Sequence, residues 1–126
     1  MAVQKDFRTG VIANLAAGAS SEVVNEALTG QEMLTIERLG VTPHADLRVT
    51  LEVEKTTVYK DLPTQSAAFP VSDANAEVFL CTPVVGVLPE KRWKVTIKNV
   101  GAAAVANVRY YVPVTKYTGA DLQRVL

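Results

Sequence analysis

Cysteine, histidine and large aromatic side chains are scarce in this chain. Among 126 residues there is one Cys, one His and one Trp, and aromatics make up only 6%. The lone Cys81 cannot close an intrachain disulfide and leaves a cysteine-rich zinc site without ligands. Between Phe79-Leu80 and Pro83-Val84-Val85 it reads as a small buried hydrophobe, not a reactive thiol. Charge of one sign is missing too. Thirteen basic residues balance thirteen acidic ones, which removes the positive field that nucleic-acid and anionic-membrane binding draw on and leaves association between copies unopposed. No apolar run approaches the roughly 20 residues of a membrane span. Lys5, Asp6 and Arg8 interrupt the start of the chain, so no secretory leader is read there, and no Asn-x-Ser/Thr sequon occurs. The expectation is a protein made and kept in a reducing cytoplasm, with no nucleic-acid or membrane partner.

What is abundant is alternation. In AVANVRYYVPVTKY, residues 104–117, an apolar side chain recurs at Ala106, Val108, Tyr110, Val112 and Val114, the pattern of a strand with one buried face. RWKVTIKN, residues 92–99, repeats it with Trp93, Val95 and Ile97, and the small linker Val100-Gly101-Ala102-Ala103 suggests a long antiparallel hairpin. Leu47, Val49, Leu51 and Val53 alternate with Arg48, Thr50, Glu52 and Glu54, and Lys55-Thr56 turns the chain into Thr57 to Lys60. Weaker strands are read over residues 9–15, 22–28, 32–39, 77–81 and 84–88, separated by Gly18-Ala19-Ser20-Ser21, Thr29-Gly30, Gly40 with Pro43, and Thr82-Pro83. Only residues 12–28 invite a helical reading, which Gly18 interrupts, leaving a short helical turn after Ser20-Ser21 as the alternative. Pro83 and Pro113 place their strands at sheet edges or bulges.

A chain of this length buries one core. The fold class expected is all-β: a single antiparallel β-sandwich or jelly roll of about eight to nine strands over residues 11–117, with terminal arms at 1–10 and 118–126. The arms keep Val3 and Phe7 at one end and Leu122, Val125 and Leu126 at the other. They either pack along their own domain or reach a neighbouring subunit. Residues 61–75, DLPTQSAAFPVSDAN, form a surface loop long enough to suggest binding.

Each candidate for chemistry has a plainer alternative. His44, with Asp46 two residues on, could be a base with its orienting group, but no activated nucleophile signature accompanies it, and a turn between strands accounts for it. Asp73-Ala74-Asn75-Ala76-Glu77 has the oxygen spacing that opens a calcium loop but lacks the glycine and closing Glu, so a solvated turn is the reading. No Gly-rich nucleotide loop is present. No catalytic, cofactor-binding or metal residues are therefore assigned, no cofactor is expected, and the chain is read as a non-enzyme. Arg109, Tyr111 and Tyr117 share the outer face of their strand, and Tyr and Arg are enriched at protein contacts. A protein partner explains them better than stacking of single-stranded nucleic acid on Trp93 and the tyrosines.

Two resemblances bear on function. KVTIKNVGAAAVANVRYYV, residues 94–112, resembles the strand-turn-strand motif of bacterial and archaeal Ig-like and adhesion-type sandwiches. LAAGAS at 15–20, LTIERL at 34–39 and LRVTLEV at 47–53 are similar to segments of small structural proteins of tailed bacteriophages. Head decoration, or cement, proteins of that group are small sandwiches or jelly rolls with extended arms that commonly sit as trimers on the outer capsid. The resemblance thus implies a virion structural protein on the capsid surface, assembled in the host cytoplasm. Its implied partners are the major capsid protein subunits and further copies of itself, a trimer being favoured. No residue's role is carried across. The alternative is an adhesion or receptor- and glycan-binding module of a tail or spike that uses the 61–75 loop.

Overall fold

The computed structural model describes residues 2–64, 71–72, 79–81 and 83–119. Their strands are β1 (Ala2–Leu15), β2 (Ser20–Ala27), β3 (Glu32–Ile36), β4 (Leu39–Val41), β5 (Leu47–Val53), β6 (Thr56–Pro63), β7 (Val71–Ser72), β8 (Phe79–Cys81), β9 (Val85–Val87), β10 (Arg92–Asn99) and β11 (Val105–Thr118). No helix occurs among the described residues, and the helical turn considered after Ser20-Ser21 is the strand β2. Two antiparallel sheets form, one of order β2-β10-β5-β6, the other of order β7-β8-β4-β11-β3-β9 with β1 also paired to β11. This is the expected β-sandwich. β3 with β4, and β9 with β8, run as interrupted strands along the same neighbours, so the eleven segments amount to nine strands.

The core lies where alternation placed it. Leu47, Val49, Leu51, Trp93, Val95 and Ile97 are fully buried, as are Leu34, Ile36, Val108 and Val112. Fully burying one such side chain stabilises by about 1.5–3 kcal/mol, and the facing rows of the two sheets supply these contacts to each other.

The expected hairpin is the main correction. β10 pairs with β2 and β5, whereas β11 pairs with β1, β3 and β4, so residues 100–104 carry the chain from one sheet to the other. Two amphipathic strands joined by a small linker look alike in sequence whether they pair or face each other across a core. Residues 16–19 make a second crossing, from β1 to β2. Asn99, fully buried, ties the two together. Its Nδ2 donates to the carbonyls of Leu15 (3.0 Å) and Ala103 (2.8 Å), and its Oδ1 accepts the Gly101 N–H at 2.9 Å. The backbone of Asn99 exchanges hydrogen bonds with Gly18 and Ala19, Gly18 turning at φ 74°.

Two smaller departures have local causes. Ala106 is exposed, not buried, because Asn107 adopts φ 54° and switches the buried parity from Val105 to Val108. Pro113 sits in a central strand, not at an edge. Its position falls where β11 passes from β4 to β3, and there the Glu37 N–H donates to the Pro113 carbonyl at 3.1 Å, so the missing N–H costs no ladder bond.

Residues 2–10, read as an arm, continue as strand along β11 in the single chain. Residues 120–126 lie outside the described residues, as do 65–70 and 73–75 of the long loop and the Asp73 to Glu77 spacing.

Candidate docking surface

β11 and β1 are both 14 residues long and pair from Ala2↔Thr118 to Leu15↔Val105. Their even-numbered residues between positions 6 and 12 of β1 turn inward, and the odd ones turn to solvent. The outer face therefore sets Val3 beside Tyr117, Phe7 beside Pro113 and Val11 beside Arg109. Val3, Phe7 and Val11 are 60%, 54% and 58% exposed and Tyr111 39%. The Phe7 and Tyr111 rings meet at 5.7 Å between centroids. Four of the seven exposed large hydrophobics among the described residues lie on this face. Exposed apolar side chains gathered on one sheet face among polar ones mark a candidate contact site.

Polar groups interrupt the strip at Thr9, at Arg109 and at the Lys5–Thr115 pair. Lys5 Nζ donates to Glu37 Oε1 at 2.6 Å and to Thr115 Oγ1 at 2.8 Å, and the Thr115 hydroxyl donates to the same carboxylate oxygen. The Lys5 ammonium, then the Thr115 hydroxyl, hold the Glu37 carboxyl below the usual carboxylate range. On the inner side, Arg8 reaches across to β2, binding both oxygens of Glu26 and, through Nη1, Asp6 Oδ2 at 2.9 Å. This fork raises the Arg8 pKa, chiefly through Glu26, and lowers that of Asp6, chiefly through Arg8 and then the Phe7 N–H. Lys116 and Glu32 pair at the end of the same sheet.

The opposite sheet is different in kind. Its shallow depression of about 320 Å³ is lined by Thr50, Glu52, Thr57, Lys60, Asp61 and Thr96, all polar or charged. A second, of about 540 Å³, runs from Val53 to Lys91 past Gly86 and Leu88.

The sequence-level candidates are dispersed. His44 organises a turn: its Nδ1 accepts the Asp46 N–H at 3.0 Å, and its own backbone N–H and carbonyl bond the buried Thr64 hydroxyl at 3.0 and 3.1 Å. The Asp46 carboxylate instead packs at Gly101. Among the described residues no three His, Cys, Asp or Glu side chains gather as a metal site. Arg109 and Tyr111 are exposed on the predicted outer face, with Tyr117 half-buried beside them. Sequence reading placed Val3 and Phe7 in an arm and Val11 in the strand over residues 9–15, and missed that the three share one face. Their spacing of four was the available signal, because in a strand it keeps side chains on one side.

No family model matches this chain, and no curated protein matches it. Solved structures of similar shape include FLHE, at 12% identity and TM-score 0.45, covering 94% of this chain and 100% of that one. The VP2 subviral particle of infectious bursal disease virus gives 10% identity and TM-score 0.46 over 95% of this chain. There the match spans about a third of the other protein, 34% of its length. The cyanophage Pam1 capsid asymmetric unit gives 16% identity and TM-score 0.42, covering 93% and 85%. The fold assignment stands on the strand pairing alone, and no residue's role is transferred from these proteins.

Proposed function

We propose that this chain is a non-enzymatic structural protein that docks onto other protein subunits through the outer face of β1 and β11, most specifically as a decoration protein that braces a viral capsid shell. The observation carrying this reading is the asymmetry of the sandwich. One sheet turns Val3, Phe7, Val11 and Tyr111 to solvent, while among the described residues no exposed large hydrophobic lies on the strands β2, β10, β5 and β6 of the other. A protein with one adhesive and one wettable side binds in a single orientation, which suits coating a surface. The phage-like segments at residues 15–20, 34–39 and 47–53 support the capsid as that surface. About 800 Å² per partner makes a stable contact, and shell symmetry multiplies it.

Co-sedimentation with empty shells of the coat protein encoded in the same genome tests the proposal. The wild-type chain is expected to pellet with the shells, Tyr111→Asp to remain in the supernatant, and Val84→Asp, a change at an exposed residue away from this face, to bind as wild type. Equal binding by all three, or none by the wild type, would overturn it.

A further inference from the structure

β1 has a second unsatisfied feature, its edge. Among the described residues it pairs only with β11. Which backbone groups face that open edge follows from β11. The carbonyls of Arg109 and Pro113 accept the Thr42 and Glu37 N–H groups at 3.0 and 3.1 Å, and the Gly119 N–H donates to Gln31 at 3.0 Å. Odd-numbered residues of β11 thus turn their backbone groups toward β3 and β4, away from β1. Because odd residues of β11 oppose odd residues of β1, the N–H and C=O groups of Val3, Lys5, Phe7, Thr9 and Val11 point to the open edge. At the middle of this row the isolated chain covers itself: Phe7 N–H donates to Asp6 Oδ1 at 2.8 Å, and Arg8 Nη1 donates to the Phe7 carbonyl at 3.4 Å.

We propose that this edge associates with a second copy of the same chain, β1 pairing antiparallel with its equivalent about a two-fold axis at Phe7. The side-chain sequence is self-complementary about that residue. Phe7 faces Phe7, Val3 faces Val11, Lys5 faces Thr9, and Asp6 faces Arg8 of the second copy. Only registers that oppose odd residues with odd ones let both strands exchange their edge-facing hydrogen bonds. Sliding by one such step in one direction sets Asp6 against Asp6, and in the other sets Arg8 against Arg8. Like charges directly opposite are destabilising and opposite charges favourable, so charge selects the Phe7-centred register. In that register Asp6 and Arg8 exchange their partner within the strand for the one across it, and the backbone bonds of Phe7 pass to the second copy. Exposed edges are commonly guarded by charge; here the guard is itself complementary to its copy. The pairing is isologous and holds whether or not the outer face meets a shell.

Sedimentation of the full chain from micromolar to sub-millimolar concentration is expected to show a reversible dimer. Asp6→Arg and Arg8→Asp should each weaken it by about tenfold or more, since each opposes like charges. An equimolar mixture of the two should dimerise again. Covalent trapping keeps the test decisive should either variant fail to fold. On a Cys81→Ala background, Phe7→Cys should cross-link to itself under mild oxidation, because directly opposed Cα atoms of a hydrogen-bonded pair lie about 5.5 Å apart, within disulfide reach. Lys5→Cys should not cross-link alone but should do so when mixed with Thr9→Cys. A chain that stays monomeric throughout, or a dimer indifferent to both charge changes and untrapped at Phe7, would overturn the proposal.

Discussion

At the scale of single residues, Asn99 shows how one polar side chain decides a connection. It bonds Leu15, Ala103 and Gly101 from a position fully shielded from water, so Asn99→Ala leaves the buried Leu15 carbonyl unpaired and opens the partly buried bonds to Ala103 and Gly101 to water. Each buried group left unpaired costs about 1–3 kcal/mol. We expect a loss of about 1–3 kcal/mol in urea unfolding. Glu32 supplies a pH-dependent contribution. Lys116, and then the Thr29 N–H, lower its pKa from the ordinary 4.5 to about 2. A carboxyl whose folded pKa is depressed stabilises the fold fully above its unfolded value and loses that contribution as pH falls through the folded one. Stability should therefore decline from about pH 4.5 toward pH 2. Glu32→Gln should flatten part of that slope, by ~1 kcal/mol given the pair's partial exposure, as measured by urea midpoints at neutral and acid pH.

At the scale of elements, burial was legible in the sequence and pairing was not. Trp93, Val95 and Ile97 alternate and are all fully buried, because period-two spacing reports which face meets a core. The same spacing is silent about which strand lies alongside, and so residues 92–117 resembled a hairpin although they bridge two sheets. Asn99 and Gly101 carried the missing information. A Cβ on Gly101 would lie 2.4 Å from Asp46 Oδ2, so only glycine fits the crossing beside that carboxylate. Gly101→Ala should cost about 1–3 kcal/mol by overpacking. Adding Asp46→Ala should recover part of that loss, a coupling that thermal unfolding of the single and double variants measures. The exposed Ala106 has a similar lesson, since the left-handed Asn107 that shifts its parity carries no signal in hydrophobic spacing.

At the scale of the whole molecule, the sandwich is two-sided in its chemistry as well as its layers. Its candidate docking face was half-visible in the sequence: Arg109, Tyr111 and Tyr117 followed from the parity of β11, whereas Val3, Phe7 and Val11 joined them only once β1 was seen to lie along that strand. The edge of β1 that no described strand covers was invisible in the sequence, since strand neighbours are a property of topology. If both proposals hold, face and edge give a small protein two ways to meet neighbours, one across a surface and one within a sheet. Hydroxyl-radical footprinting of the chain free and bound to its shell tests the docking claim most directly. Tyr111 should lose most of its reactivity on binding while Val84 keeps its own. Unchanged labelling of Tyr111 in the bound protein would contradict the account.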